Sequence, residues 1–198
     1  MRLFFHNPYR ALEKKLGYSF RDKELLSMAL MHPSFRFETA APSDNQRIEF
    51  LGDSALSLVS GDYLYARFPE LDEGGLTRLR SQMTCGKTLA DIGMAIGLGD
   101  ELKLGKGEKQ TGGHRRPSTI GDALEAVIGA AYLDSGLKAV NKIFQKLFVS
   151  CIELSPTDEW SDNPKGHLQK IAQRRWKRNP HYRVVRHEGP QHAKTYFV

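Results

Sequence analysis

The chain has 198 residues, of which 40% are hydrophobic and 26% are charged, and its formal net charge is +6. This is the composition of an ordinary globular protein, long enough for one domain with a real core plus a smaller appendage. No apolar run approaches the roughly 18 residues of a membrane span, and the first residues lack the apolar region of a signal peptide. We therefore expect a cytoplasmic protein with no membrane partner.

The charge is unevenly distributed along the chain. Nine of the 29 Lys and Arg residues lie in residues 163–198, together with only one of the 23 acidic residues, Glu188. A near-neutral body with a strongly basic tail indicates a polyanionic partner. Cys85 and Cys151 have neither metal-binding nor redox spacing, so we expect buried free thiols in a reducing cytosol.

The N-terminal part predicts two short helices followed by a loop. The helices fall within residues 8–31: Pro8 opens the first, Gly17 follows it, and Asp22 caps the second. Residues 32–44, HPSFRFETAAPSD, are predicted to form a loop because they are rich in proline and polar residues.

A central helix is predicted from Asp44, its N-cap, to Phe68. Glu49 and Asp53 are four residues apart, so their carboxylates share one face of this helix. That like-charge pair and Gly52 each weaken an isolated helix, Gly52 by roughly 1 kcal/mol, which marks a candidate functional site. A solvated acidic face is the alternative. The predicted core positions are Ile48, Leu51, Ala55, Leu58 and Val59.

Residues 69–116 are predicted to form a turn that carries Glu73, a helix over residues 77–96, and a glycine-rich charged loop. Neither the glycines of that loop nor the GKT at residues 86–88 complete a phosphate-binding motif, so no nucleotide cofactor is expected. His114, in the loop, is expected to be solvated.

A second apolar helix is predicted over residues 117–136, and another amphipathic helix follows over residues 137–154. Asp122 and Glu125 share one face of the first of these. If the two carboxylate pairs met, they would repel strongly unless cations lay among them. Hard oxygen ligands suit Mg²⁺ or Mn²⁺, and such a site can hold two metal ions about 4 Å apart for attack on a phosphodiester. The core positions are Ile120, Leu124, Val127, Ile128 and Ala131.

Three blocks of sequence resemble the ribonuclease III family, in the family's order: NQRIEFLGDSAL, DEGGLTRLRS and IGDALEAVIGAAYLD. The resemblance implies an all-α endonuclease domain over residues 1–155, which dimerises and cuts double-stranded RNA. It implies Asp53 and Glu125 as catalytic residues and Glu73 as a further acidic position. Gln46 departs from the family, since many bacterial members have Glu there. The implied metal ligands are Glu49, Asp53, Asp122 and Glu125.

The C-terminal part changes class after a linker at residues 156–162. A helix followed by two strands is predicted, and NPKGHLQ and GPQH resemble the start of a double-stranded RNA-binding domain. The resemblance implies a partial α+β domain (α-β-β only) over residues 163–198. Trp176 and Tyr182 are themselves expected to pack in a core rather than to bind RNA. So small a segment is expected to bury too little surface to be stable alone. The implied RNA contacts are Gln169, Gly189, Pro190 and His192.

Together these patterns predict a Mg²⁺-dependent, double-stranded-RNA-specific endoribonuclease, with Mn²⁺ as a substitute metal, and no covalent intermediate. The resemblance implies 5′-phosphate and 3′-hydroxyl ends with short 3′ overhangs, and roles in ribosomal RNA processing and mRNA processing or decay. A homodimer is expected, with Phe50 as the candidate interface residue. A di-iron oxidase is disfavoured because no Glu-x-x-His occurs. A silent RNA-binding protein is disfavoured because acidic side chains repel phosphates.

Overall fold

The computed structural model describes residues 7–150, 164–189 and 194–197. The chain forms two compact units, residues 1–154 and residues 155–198. Short 3₁₀ turns lie at Leu98–Glu101 and Gly113–Arg115. The helices described in the first unit are α1 (Arg10–Leu16), α2 (Lys23–Ala29), α3 (Pro33–Thr39), α4 (Gln46–Arg67), α5 (Glu73–Thr84), α6 (Gly86–Ala95), α7 (Lys106–Gln110) and α8 (Pro117–Leu147).

Helix α8 is the centre of the first unit. Most residues of its first half are apolar and buried, and Asp122 is an exposed exception. Helices α1, α2, α4 and α6 pack against it, and α4 makes the most extensive of these contacts. The predicted core positions Ile120, Leu124, Val127, Ile128 and Ala131 are all buried. The all-helical prediction for this unit is therefore confirmed.

Two glycines let α4 and α8 cross with their backbones in contact. A Cβ atom on Gly52 would lie 1.8 Å from the carbonyl oxygen of Glu125, and one on Gly129 would lie 2.1 Å from that of Ile48. No side chain fits such distances. Gly52 has low helix propensity, but its lack of a side chain allows the close crossing, which a larger residue would prevent.

Helix α4 begins two residues later than the predicted N-cap. It starts at Gln46, and Asn45 before it makes no side-chain cap bond. The Asp44 carboxylate nevertheless accepts the backbone N–H of Gln46 at 3.2 Å, so it satisfies an amide of the first turn as predicted. At the other end α4 stops at Arg67, in agreement with the predicted end before Pro69.

Several local predictions in the first unit are wrong, among them the expected burial of Cys85, which is exposed. Residues 33–39 form α3 rather than a loop, because Pro33 occupies the first turn and the His32 ring accepts the backbone N–H of Ser34. The helix predicted over residues 77–96 is two helices, since Cys85 is extended (φ −71°, ψ 153°). Its first part begins earlier, at Glu73, where the Asp72 carboxylate accepts the N–H of Gly75 at 2.7 Å.

Helix α8 spans the predicted break near Gly136, but its backbone is not helical at that point. Ser135 and Gly136 have non-helical dihedral angles, and Gly136 adopts a positive φ of 65°. The first helix therefore ends here as predicted, and the second helix follows it across a kink within α8. After it, the described core residues are Val140, Ile143, Phe144 and Phe148. Residues 151–154 of the predicted helix lie outside the described residues.

The second unit contains helix α9 (Pro164–Trp176) and the strands β1 (Arg186–Glu188) and β2 (Thr195–Phe197). The strands are antiparallel, with Arg186 opposite Phe197 and Glu188 opposite Thr195. This order matches the predicted one, although the strands are shorter. Trp176 is 59% exposed and Tyr182 is exposed, so the prediction of core packing for both is wrong. The predicted linker lies outside the described residues.

Among the described helices, none combines the length and the apolar character that crossing a membrane requires.

Candidate metal centre

Three of the predicted ligands meet where α4 and α8 cross. Glu49 of α4 and Asp122 and Glu125 of α8 each offer an oxygen, and these three oxygens lie within 4.8 Å of one another. Glu49 lies one turn before Gly52, and Glu125 lies one turn before Gly129. The glycine contact that brings the helices together therefore also brings the carboxylates together.

The pKa values of all three carboxyl groups are raised. Partial burial raises the pKa of Glu125 to about 7, and the charges of Asp53, Glu49 and Asp122 add to this rise. Burial also raises the pKa of Glu49, with contributions from Asp122 and Asp44. For Asp122, burial raises the pKa, while the His32 imidazole acts in the opposite direction. Ionised together without a cation, the three groups would repel one another.

Asp53, the fourth predicted ligand, lies near this cluster without being part of it. Its carboxylate is exposed on α4, one turn after Glu49, and is not among the three converging groups. Its charge is felt at Glu125, where it raises the pKa. The assignment of Asp53 as a metal ligand and catalytic residue stays a prediction.

The two positions of the possible secondary acidic site, Gln46 and Glu73, are the first residues of α4 and α5. Gln46 is exposed at the first position of α4. Glu73 is exposed at the first position of α5, where its Oε1 accepts the Thr77 hydroxyl at 3.1 Å. Glu73 also lines a separate cavity of about 430 Å³ with Tyr65, Leu71 and Arg80. Glu73 is not among the carboxylates that converge in the cluster.

The remaining predicted contact residues are placed as follows. Phe50, next to Glu49, has 77% of its surface exposed. In the second unit, Gln169 is exposed and its Nε2 lies 3.4 Å from Asn179 Oδ1, while Gly189 has a positive φ of 95°. Pro190 and His192 lie outside the described residues. The role of these four residues in binding RNA stays a prediction.

Sequence reasoning missed His32 near the cluster. The signal was present, since a His before Pro and Ser can cap a helix whose first residue is proline. His114, which was predicted to be solvated, has a buried Nδ1 atom for which the described residues provide no hydrogen-bond partner. That prediction is therefore wrong for this atom.

A groove between α6 and α8 leads to the cluster. Its volume is about 490 Å³, and Lys87, Ser118, Asp122 and Glu125 are among its lining residues. Two candidate ligands therefore border an open concave surface. A polymer strand laid in that groove would pass directly beside the carboxylates.

The donor set fits a hard divalent cation. It consists of carboxylate oxygens, and the described groups that converge here include neither cysteine nor histidine ligands. Oxygen donors favour Mg²⁺, Mn²⁺ or Ca²⁺ over softer metals. A cation at this position would also offset the repulsion that adds to the effect of burial in raising the pKa values of Glu49 and Glu125.

The fold and the site together define a class: an all-helical domain whose central helix crossing carries a carboxylate cluster suited to divalent metal. A family model described as Ribonuclease-III-like matches residues 22–152. A protein named Ribonuclease 3 from Pseudomonas fluorescens is 44% identical over 187 residues, which are 94% of this chain and 80% of that protein. The chain therefore belongs to the ribonuclease III family.

Solved structures agree with this assignment. The nuclease domain of ribonuclease III from Campylobacter jejuni is 39% identical, with a TM-score of 0.67, covering 72% of this chain and 96% of that one. Its description names a region involved in dimer formation. A Dicer from Pichia stipitis is 27% identical, with a TM-score of 0.52, covering 86% of this chain and 76% of that one.

Proposed function

We propose that this chain is an endoribonuclease that cleaves double-stranded RNA with the help of Mg²⁺, for which Mn²⁺ can substitute. The supporting observation is the convergence of Glu49, Asp122 and Glu125 within 4.8 Å at a helix crossing of a ribonuclease III family member. We further propose a two-metal hydrolysis that leaves 5′-phosphate and 3′-hydroxyl ends with short 3′ overhangs.

Each carboxylate has a role in this proposal. Bound metal ions would activate water and stabilise the charge that develops on the phosphate and the leaving 3′-oxygen. Glu49, Asp122 and Glu125 would hold them, and Asp53 would complete the set from α4. Because the pKa of Glu125 is about 7 without metal, Glu125 must lose a proton as it becomes a ligand. Asp122, exposed beside the groove, is available to a ligand that approaches from solvent.

A homodimer is part of the proposal. Phe50 (77% exposed), Leu58 (58% exposed) and Tyr65 (76% exposed) lie on α4 at spacings of eight and seven residues, which places them along one face. Leu58 was predicted to lie in the core, and its exposure shows that this prediction is wrong. An apolar stripe of this kind on a family member supports its use as a subunit interface. A two-fold axis would then relate two sites to the two strands of a duplex.

The remaining elements of the proposal come from the sequence. Residues 163–198 would add duplex binding through Gln169, Gly189, Pro190 and His192, since nine basic residues lie in this segment. The proposed cellular roles are ribosomal RNA processing and mRNA processing or decay in the cytoplasm.

The decisive experiment compares cleavage of a long RNA duplex with cleavage of a single strand of the same sequence, each with Mg²⁺ or with EDTA. We expect fragments only from the duplex and only with the metal. Binding without cleavage would favour a silent RNA-binding protein. Equal cleavage of both RNAs would contradict the proposed specificity.

A further inference from the structure

Helix α6 begins in contact with α8, directly beside the carboxylate cluster. A Cβ atom added to Gly121 of α8 would lie 3.6 Å from the carbonyl oxygen of Gly86 and 3.6 Å from the Cβ atom of Leu89. Gly86 is the first residue of α6, and Lys87 follows it. On the other helix, Asp122 follows Gly121. Lys87 and Asp122 are therefore each one residue away from the contact between the two helices.

Lys87 supplies positive charge to the groove between α6 and α8. The groove has a volume of about 490 Å³, and Lys87 is the one basic side chain among the described residues that line it, beside the acidic Asp91, Asp122 and Glu125. A space of this size takes a group as large as one nucleotide rather than a whole duplex. One strand in the groove would therefore meet the carboxylate cluster and the Lys87 ammonium group within a short length of its backbone.

The position of Lys87 is unfavourable for the helix that carries it. Lys87 is the second residue of α6, and a cation in the first turn opposes the helix macrodipole. Its Nζ atom donates to Asp91 Oδ2 at 2.7 Å, but the two side chains are 85% and 54% exposed. So exposed a pair contributes little, and a lysine four residues before an acid has the weaker of the two orientations. The stability of α6 therefore does not explain this lysine, which marks it as a candidate functional residue.

We propose that Lys87 binds the substrate: its ammonium group leaves Asp91 and donates to a phosphate of the RNA strand in the groove, adjacent to the phosphodiester that is cut. This inference rests on the proposed function. A site built from carboxylates repels the phosphates that it must receive, and a cation that lines the same groove opposes that repulsion. A lysine suits this role because its charge is carried on a flexible stem. Asp91 competes with the phosphate for the ammonium group and keeps Lys87 at the groove when no RNA is bound.

Two substitutions in α6 test the two halves of this exchange. Lys87→Gln removes the charge and keeps a similar helix propensity, so thermal stability should be unchanged or slightly raised. We expect kcat/KM for duplex cleavage to fall by about 10-fold or more, mainly through KM, because a charged hydrogen bond to the phosphate is lost. Asp91→Asn removes the competitor, so kcat/KM should rise by about twofold to fivefold. In a chain that already carries Lys87→Gln, Asp91→Asn should have no effect.

The salt dependence of cleavage distinguishes a phosphate contact from a structural role. The slope of log kcat/KM against log salt concentration should become shallower by about one for Lys87→Gln, since one phosphate contact is lost. Lys87→Arg keeps the charge and should stay within about threefold of wild type. The matched control is Lys142→Gln, which removes an exposed lysine from α8 beyond the kink at Gly136 and should leave both kcat/KM and the slope unchanged.

Wild-type kcat/KM and salt slope for Lys87→Gln would overturn the inference. A Lys87→Gln defect in kcat alone would overturn it too, since binding would then be intact. If Asp91→Asn were impaired as much as Lys87→Gln, the ion pair itself would be what matters, which would also contradict it. Wild type is assayed in parallel with Mg²⁺: absence of wild-type cleavage refutes the proposed function itself, whereas wild-type cleavage with a fully active Lys87→Gln refutes this inference alone.

Discussion

At the residue scale, the carboxylates of Glu49, Asp122 and Glu125 form a ligand site at a cost in folding stability. Each has a raised pKa, for which partial burial is the main cause, and mutual repulsion adds to it for Glu49 and Glu125. A protein gains nothing structurally from such an arrangement, because its ionised form opposes folding. Groups perturbed in this way, on a groove, mark a functional site.

The first prediction concerns Glu125. Glu125→Gln keeps the shape of the side chain but removes an anionic ligand, so the variant should fold and bind duplex RNA. We expect cleavage to fall by at least about 100-fold, because each 1.4 kcal/mol of lost charge stabilisation is about tenfold in rate. The measurement is the single-turnover cleavage rate at saturating Mg²⁺. A near-normal rate would remove Glu125 from the proposed site.

The second prediction concerns pH in the absence of metal. The pKa of Glu125 is about 7 in the folded state and 4.5 in its unperturbed form. Between these values the folded chain binds more protons than the unfolded chain, so this group's contribution to stability falls as pH rises from 4.5 to 7. In EDTA, the melting temperature of wild type relative to Glu125→Gln should therefore drop by roughly a few degrees between pH 5 and pH 8. A difference independent of pH would contradict the raised pKa.

At the element scale, the crossing of α4 and α8 determines the site. Gly52 and Gly129 allow the two backbones to touch, and the ligands lie one turn away on each helix. The close contact at Gly52 explains why α4 tolerates a glycine, which has poor helix propensity. Local weakness is offset by burial of the apolar surfaces of both helices.

The third prediction tests this crossing. Gly52→Ala places a methyl group 1.8 Å from the Glu125 carbonyl oxygen, so the helices must separate. We expect a loss of about 3 kcal/mol or more in the free energy of unfolding, and a loss of cleavage in any folded fraction. The control is Gly107→Ala in α7, whose new Cβ would meet nothing within 4 Å. It should leave stability unchanged or slightly raised, as urea unfolding would show. Wild-type stability of Gly52→Ala would contradict the close crossing.

At the scale of the whole molecule, α4 has an apolar face that is exposed among the described residues. Phe50 and Tyr65, both more than three-quarters exposed, bound this face. Phe50 is next to Glu49, so covering the face with a second copy would bring the two subunits together beside the metal ligands. Assembly and catalysis would then be coupled through one helix.

The fourth prediction concerns assembly. Wild type should have the mass of a dimer by light scattering at micromolar concentration. Phe50→Ala should weaken the dimer by about 10-fold or more, as expected for a central aromatic contact. The control is Phe37→Ala on α3, which removes a ring of similar exposure (84%) outside this face and should leave the mass unchanged. A monomeric wild type that still makes double-strand cuts would contradict the proposed interface.

The fifth prediction concerns the basic second unit. Its nine Lys and Arg residues should bind phosphates mainly through charge, and such binding weakens steeply as salt rises. Deletion of residues 156–198 should therefore reduce duplex affinity at low salt and matter much less at high salt, while cleavage persists. Equal losses at low and high salt would instead indicate a formed recognition surface, and complete loss of cleavage at every salt concentration would contradict the division of roles.

The sequence by itself determined the helical class of the first unit and the residues that face its core. Periodicity along residues 117–136 identified the buried positions of α8, because a helix that must bury one face repeats apolar residues every three to four positions. The carboxylate spacings also identified Glu49, Asp122 and Glu125 as candidate partners, since residues three or four apart share a helix face. These are properties of single helices, which depend on residues close together in the sequence.

Only the tertiary structure decided how those faces meet. Leu58 has the spacing of a core residue but is exposed. Cys85 interrupts a continuous helical pattern. In both cases, packing against neighbouring elements overrides the preference of the local sequence. The close crossing at Gly52 and the approach of His32 to Asp122 depend on contacts between residues distant in the chain. Sequence periodicity reports which face of an element is apolar, whereas the distance between two elements is set by the side chains that pack between them.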